Sequence, residues 1–146
     1  MRILPPILLL IFIVAMVIVD AVAGGPTFAP PPYNLLGIVL MIAGLGIGIP
    51  AARHFERVRT NIKTFNEPTV MVTDGMFRWT RNPMYLGMCV LLLGLAILVG
   101  TLLPLLLAAA FAVIADRWYV RFEENAMRQK FGAAYDAYAS RTRRWL

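Results

Sequence analysis

The sequence predicts an all-α integral membrane protein with four transmembrane helices and a cytoplasmic amphipathic helix at the C-terminus. Of the 146 residues, 60% are hydrophobic, and the mean hydropathy is +0.70. Both values lie far above those of ordinary soluble domains. The apolar residues fall into four runs, which are separated by Pro/Gly-rich or basic stretches. A chain of this length is expected to form a single domain over residues 1–146.

The first two predicted spans cover residues 3–19 and 35–52. The first run is about long enough to cross a bilayer. Ala21-Val22-Ala23 resembles a signal-peptidase site, but the apolar run exceeds the usual length of a signal core, which favours a span. In the second span, Gly44 and Gly48 form a small-xxx-small face. This face either lets a neighbouring helix approach closely or only adds helix flexibility.

A long polar connection over residues 53–82 follows the second span. It exceeds ordinary loop length, and such loops in compact chains are usually functional or disordered. Its aromatic and apolar content argues against disorder, and residues 53–62 could extend the second helix. Asp74-Gly75 indicates a turn. Asn82 precedes Pro83, which predicts a helix that begins at Pro83 with Asn82 near its N-cap.

The third and fourth predicted spans cover residues 85–99 and 102–115. The fourth is short for a full crossing, so we expect it to tilt or to continue into the following polar stretch. Trp118 and Tyr119 then act as interfacial anchors. Residues 121–140 are predicted to form an amphipathic helix, because apolar and aromatic residues recur at helical spacing from Met127 to Tyr138.

The charges predict the topology. With four spans, every Lys and Arg lies on one side of the membrane, and the two opposite loops have none. The positive-inside rule therefore places both termini and the 53–82 connection in the cytoplasm, in a bacterial-type inner membrane. The net charge of +6 is clustered beside apolar segments, which indicates the lipid bilayer rather than nucleic acid as the partner.

The strongest candidate for chemistry is the polar, aromatic and basic stretch 72–87. An interfacial anchor has the same composition, so that interpretation stays open. No metal site is predicted, because His54 and Cys89 are the only His and Cys and lie far apart. Glu123 and Glu124 are adjacent acids near the same membrane surface. They either pair with surface arginines, or one of them binds the cationic group of a ligand.

Three short motifs resemble one family. Arg81-Asn82-Pro83-x-Tyr85-x-Gly87 is similar to the Arg-His-Pro-x-Tyr-x-Gly motif of the isoprenylcysteine carboxyl methyltransferases and the related phospholipid methyltransferases. The lead-in Val72-Thr73-x-Gly75-x-Phe77 also fits, as does the downstream series Glu123-Glu124, Phe131-Gly132-x-x-Tyr135-x-x-Tyr138 and Arg144-Trp145-Leu146. The resemblance covers about residues 35–146. It implies an enzyme that binds S-adenosylmethionine at the cytosolic membrane face without the soluble Rossmann-type fold.

The resemblance also implies roles for individual residues. As a mechanistic hypothesis for such an enzyme, Arg81 and Tyr85 would be catalytic. Arg81 would hold an anionic substrate group or the cofactor carboxylate, and Tyr85, Phe77 or Trp79 would face the sulfonium of the cofactor. Arg117 or Arg121 would bind the substrate, because Tyr119 occupies the place where prenylcysteine-specific members carry an arginine. Asn82 replaces the usual His, so a contact made by the imidazole is changed or lost. The expected cofactor-binding residues are Val72, Phe77, Asn82, Pro83, Met84, Tyr85, Glu123 and Glu124.

The implied reaction is an in-line methyl transfer, in which positioning and water exclusion supply most of the catalysis. The acceptor is left open: a lipophilic or small thiol, carboxylate or amine. Two other functions remain, a nicotinamide-dependent membrane reductase of related architecture and a non-catalytic four-helix membrane scaffold. Ligand binding separates the three functions. A methyltransferase should bind S-adenosylhomocysteine, a reductase should bind a nicotinamide nucleotide, and a scaffold should bind neither. The oligomeric state is open.

Overall fold

The protein is helical in the computed structural model, which describes residues 3–57 and 70–146. The described α-helices are α1 (Pro5–Ala23), α2 (Leu36–Arg57), α3 (Pro83–Val99), α4 (Leu102–Ile114), α5 (Arg121–Phe131) and α6 (Ala133–Arg141). A π-helical turn, Ala115–Val120, joins α4 to α5, and short 3-10 turns cover Tyr33–Leu35 and Gly75–Arg78. Extended pairing within the described ranges is limited to isolated bridges, so the predicted all-α class is confirmed there.

Three helices of the described chain are long and apolar enough to cross a membrane: Pro5–Ala23, Tyr33–Phe55 and Leu102–Phe131. The predicted spans 3–19, 35–52 and 102–115 lie on these helices. The predicted span 85–99 lies in α3, which has 17 residues. At a rise of about 1.5 Å per residue, α3 is shorter than the hydrocarbon core of roughly 30 Å. A full crossing by α3, and with it the count of four spans, therefore stays a prediction.

The C-terminal third confirms one prediction and corrects two others. The fourth helix continues through the π-helical turn to Phe131, which confirms the expected continuation. The single helix predicted over 121–140 is wrong, because Gly132 has φ +50° and separates α5 from α6. Tyr119 is not an interfacial anchor: it is 5% exposed, whereas Trp118 is 69% exposed. Successive helical residues point about 100° apart, so only one of the two can face outward.

Glycines allow α2 and α3 to touch along their backbones. A Cβ atom added at Gly44 would lie 2.6 Å from the carbonyl oxygen of Gly87, and one added at Gly94 would lie 2.6 Å from that of Gly37. A Cβ atom at Gly87 would lie 2.6 Å from the amide nitrogen of Gly48. These distances confirm the close approach predicted from Gly44 and Gly48. They also give Gly87, the last residue of the Arg-Asn-Pro motif, a packing role.

The main core lies between α1, α3 and α4. Met16, Leu92 and Phe111 are each 1% exposed or less, and the Phe12 and Phe111 rings meet edge to face at 5.4 Å. Because α3 packs against α1, α2 and α4, its N-terminus is held at the end of the bundle where α5 begins.

The connection between α2 and α3 is described only at its two ends. Helix α2 extends to Arg57, so the predicted extension is confirmed that far, and positions 58–62 lie outside the described residues. Gly75 has φ +57°, as the turn signal predicted. Asn82 is the N-cap of α3 and Pro83 lies in its first turn, as predicted. The side chain of Asn82, however, makes no capping hydrogen bond.

Candidate functional site

An apolar cavity of about 320 Å³ lies between α1, α2 and α3. Residues 4–9 supply one wall, and residues 44–52 of α2 and 84–91 of α3 supply the others. Among the described residues that line it, Tyr85 and Glu123 are the ones with polar side chains. The space therefore suits a hydrocarbon group whose polar end lies beside these two side chains.

Tyr85 and Glu123 form a hydrogen-bonded pair. The Tyr85 hydroxyl donates to Oε1 of Glu123 at 2.7 Å. The Tyr85 ring is 3% exposed and stacks on Tyr119 at a centroid distance of 6.1 Å, and the Tyr119 hydroxyl donates to the carbonyl oxygen of Ile3 at 2.8 Å. Tyr119 and Glu123 are four residues apart, so they share one helix face. This packing orients a carboxylate at the edge of the apolar cavity.

Glu124 belongs to a separate, buried ion-pair network. Its Oε1 accepts hydrogen bonds from Nε and Nη2 of Arg81 at 3.1 and 2.9 Å, and its Oε2 accepts one from Nη2 of Arg144. Glu124 is only 7% exposed. The two acids, adjacent in sequence, thus have different surroundings: Glu123 lines the cavity, and Glu124 pairs with two guanidinium groups.

The remaining polar groups of the motif contact the end of the chain. Nη1 of Arg81 donates to the carbonyl oxygens of Ala139, at 2.9 Å, and Thr142. Nδ2 of Asn82 donates to the carbonyl oxygen of Arg144 at 3.0 Å, and this side chain makes no capping hydrogen bond to α3. The donors of Arg81 and Asn82 are therefore directed at protein acceptors, while Tyr85 faces the cavity.

Val72 and Phe77, both predicted to bind the cofactor, lie in a small second core. They are 6% and 4% exposed, and the Phe77 ring lies 5.0 Å from that of Phe55. Met84 packs against this core and also lines the cavity, so it links the two. Pro83, in the first turn of α3, is buried.

Arg117 and Arg121, predicted to bind the substrate, lie on the exposed surface. The side chain of Arg117 is 78% exposed, and its Nε lies 3.6 Å from Oδ2 of Asp116. Arg121 is exposed at the start of α5. Neither residue lines the cavity, so the structure does not bring them to the Tyr85–Glu123 pair.

Two features of the site carried no sequence signal. Pro5, Pro6 and Leu9 of α1 line the cavity, although the resemblance began only near residue 35. His54, at the end of α2, lies 2.8 Å from Oδ1 of Asp74, and this hydrogen bond lowers the pKa of the Asp74 carboxyl. Pro5, Pro6 and Leu9 belong to an apolar run, and such a run carries no sequence signal for ligand binding. His54 and Asp74 are 20 residues apart, so no local sequence pattern connects them.

Comparison with known families supports the resemblance. The sequence model of the phospholipid methyltransferase family matches residues 33–134. This region contains the α2 and α3 walls of the cavity, the Arg-Asn-Pro motif and the Tyr85–Glu123 pair. Comparisons with curated proteins and with solved structures gave no match. With its long apolar helices, the protein is an integral membrane protein. The match covers well over half of the chain, which therefore belongs to the phospholipid methyltransferase family, a family of membrane methyltransferases.

Proposed function

We propose that this protein transfers a methyl group from S-adenosylmethionine to a lipophilic or small thiol, carboxylate or amine acceptor. The observation that carries the proposal is the Tyr85–Glu123 pair at the polar end of an apolar cavity of about 320 Å³. Family membership supports methyl transfer, and the apolar walls support an acceptor with a hydrocarbon part.

The residues at the polar end fit S-adenosylmethionine in two respects. This cofactor carries an ammonium group and a sulfonium, both cationic. Glu123 provides a half-buried carboxylate, a group that favours a cationic partner. Tyr85 provides an aromatic ring at the cavity, and the face of such a ring attracts cations. When bound, the cofactor would supply an activated methyl group.

The chain itself would act by positioning. Glu123 would bind the ammonium group of the cofactor, and the Tyr85 hydroxyl would keep that carboxylate in place. The apolar walls, including Met84 and Leu91, would exclude water from the reacting groups. No general base is needed if the acceptor is a thiolate, carboxylate or free amine, so orientation would supply most of the rate enhancement.

We further propose that the polar end of the cavity faces the cytoplasm of a bacterial-type cell. Arg81, Arg117, Arg121 and Arg144 all lie near the α3 N-terminus or along the helix that carries Glu123. Such a concentration of arginine is typical of the cytoplasmic side of inner-membrane proteins. Arg117 and Arg121 do not line the cavity, so they would contact an anionic part of the acceptor that stays outside it, at the exposed surface.

Calorimetry on the full chain in detergent tests the proposal. We expect saturable binding of S-adenosylhomocysteine. Loss of one charge-assisted contact weakens binding by roughly 10- to 100-fold, so Glu123→Gln should weaken it by that factor. Asp136→Asn makes the same chemical change at a surface acid paired with Arg128 and should leave the affinity unchanged.

Two results would contradict the proposal. Binding of a nicotinamide nucleotide by the wild-type protein, with no response to S-adenosylhomocysteine, would favour the reductase. Binding of neither compound by a protein that still melts cooperatively would favour the scaffold.

A further inference from the structure

The polar residues at the start of the motif face the C-terminal tail, which we define as residues 142–146. Thr80 and Arg143 form an isolated parallel bridge, and the Arg81 amide donates to the carbonyl oxygen of Arg143 at 2.9 Å. The Thr80 hydroxyl and Nδ2 of Asn82 donate to the carbonyl oxygen of Arg144 at 3.1 and 3.0 Å. Residues 80–82 therefore bind the main chain of the tail.

A charge cluster with the buried Glu124 at its centre holds the tail to α5. Glu124 lies between the guanidinium groups of Arg81 and Arg144, and the Arg81 and Glu124 side chains are 15% and 8% exposed. The hydrogen bond to Glu124 raises the pKa of Arg144, so this residue remains charged. A buried charge that loses its partner is strongly destabilised, so the buried Glu124 depends on the guanidinium groups of Arg81 and of Arg144, whose side chain is 39% exposed. The planar guanidinium group of Arg81 donates hydrogen bonds to Glu124 and to two carbonyl oxygens. The ammonium group of a lysine cannot reproduce this geometry.

The tail has a second anchor at the π-helical turn. Nε1 of Trp145 donates to Oδ1 of Asp116 at 2.9 Å, and Nη1 of Arg144 lies 3.4 Å from the same oxygen. Trp145 also packs against the main core. The tail thus contacts the α3 N-terminus, α5 and the π-helical turn that contains Tyr119.

We propose that Arg81, Asn82, Glu124 and Arg144 form a clasp that holds the tail and thereby positions Glu123 at the cavity. Glu123 and Glu124 are adjacent on one helix, so fixing the direction of Glu124 fixes the rotation of α5 and the direction of Glu123. The four are positioning residues, and this inference rests on the proposed function for the role of Glu123.

The clasp also explains Asn82, which stands where the family motif has a histidine. The carbonyl oxygen of Arg144 requires an N–H donor at this position. An asparagine amide and an imidazole both provide one, whereas an aspartate carboxylate does not. We therefore expect a histidine at position 82 to keep the contact with the tail.

Adjacent arginines provide matched variants for a binding test. Arg144→Gln removes a side chain of the clasp, whereas Arg143→Gln alters an exposed side chain whose residue contributes only main-chain groups to the contact. By calorimetry, Arg144→Gln should lower the affinity for S-adenosylhomocysteine at least tenfold, and Arg143→Gln should change it less than twofold. Asn82→Asp should also lower this affinity at least tenfold.

Limited trypsin digestion tests the clasp without any cofactor. Arg141 and Arg143 have exposed side chains, but hydrogen bonds hold the main chain beside them, so the wild-type tail should resist cleavage. Arg81→Lys and Asn82→Asp should speed release of the tail peptides, measured by mass spectrometry, at least tenfold. Asn82→His should match the wild type.

The two readouts separate the possible failures. Cleavage of Arg81→Lys and Asn82→Asp at the wild-type rate overturns the clasp. Faster cleavage with unchanged affinity for S-adenosylhomocysteine overturns the positioning of Glu123. A wild-type protein that binds no S-adenosylhomocysteine refutes the proposed function and that positioning role together, and the clasp then stands or falls by the digestion rates alone.

Discussion

Substitution of Gly87 by alanine tests the backbone contact between α2 and α3. The added Cβ would lie 2.6 Å from the amide nitrogen of Gly48 and 2.7 Å from the carbonyl oxygen of Gly44. Both are main-chain atoms, so no side-chain rotation relieves the clash. The two helices must separate by roughly 0.8 Å to lengthen the closest contact to 3.4 Å, the lower limit of ordinary packing.

The cost of this separation follows from the geometry. A gap of roughly 0.5–1 Å forfeits a quarter to a half of the dispersion attraction between facing atoms. Overpacking of this kind typically costs about 1–3 kcal/mol, and the absence of a flexible neighbour places Gly87→Ala near the upper limit. Because Gly44, Gly48 and Gly87 also line the cavity, the separation should widen the space beside Tyr85.

Gly46→Ala is the matched control for thermal unfolding in detergent. It adds the same methyl group within α2, but nothing lies within 4 Å of the added Cβ. We expect Gly46→Ala to leave the free energy of unfolding unchanged or to raise it by up to about 1 kcal/mol, because alanine favours a helix more than glycine does. Gly87→Ala should lower it by about 3 kcal/mol. Equal melting temperatures for the two variants would refute the backbone contact.

Three further predictions concern stability, each measured by the same unfolding assay. Tyr138→Phe removes the hydrogen bond to the carbonyl oxygen of Phe77 and should cost about 1 kcal/mol. Burial raises the pKa of Tyr138 to about 12, so the wild type should lose this contribution to stability as the pH rises from 10 to about 12. The variant lacks the hydroxyl and should show no such loss. Because its hydrogen bond to His54 lowers the pKa of Asp74, stability from this pair should be present above pH 3.8 and lost as the pH falls further, a loss that should be absent in Asp74→Asn. Phe111→Ala should cost about 3–5 kcal/mol because the ring is 1% exposed, and a cost below 1 kcal/mol would contradict its core position.

Local sequence determined most of the helices and their boundaries at the motif. The apolar runs predicted the long helices, because a long run of neighbouring apolar residues is itself the sequence signal of a membrane-spanning helix. Asp74-Gly75 and Asn82-Pro83 predicted a positive φ and a helix start, and both were confirmed because these backbone preferences act within one or two residues. Gly44 and Gly48 predicted a close helix contact but did not name α3 as the neighbour.

Tertiary structure decided which polar groups meet. Two adjacent glutamates are equivalent in a motif, but their side chains point about 100° apart, so one lines the cavity and the other enters an ion pair. The partners of the Arg81 side chain lie 43 to 61 residues away in the chain, a separation that no local pattern encodes. The motif therefore predicted a polar site at the start of α3. Only the packing of α3, α5 and the tail showed that Tyr85 and Glu123 face the cavity. The same packing showed that Arg81 and Asn82 bind the end of the chain.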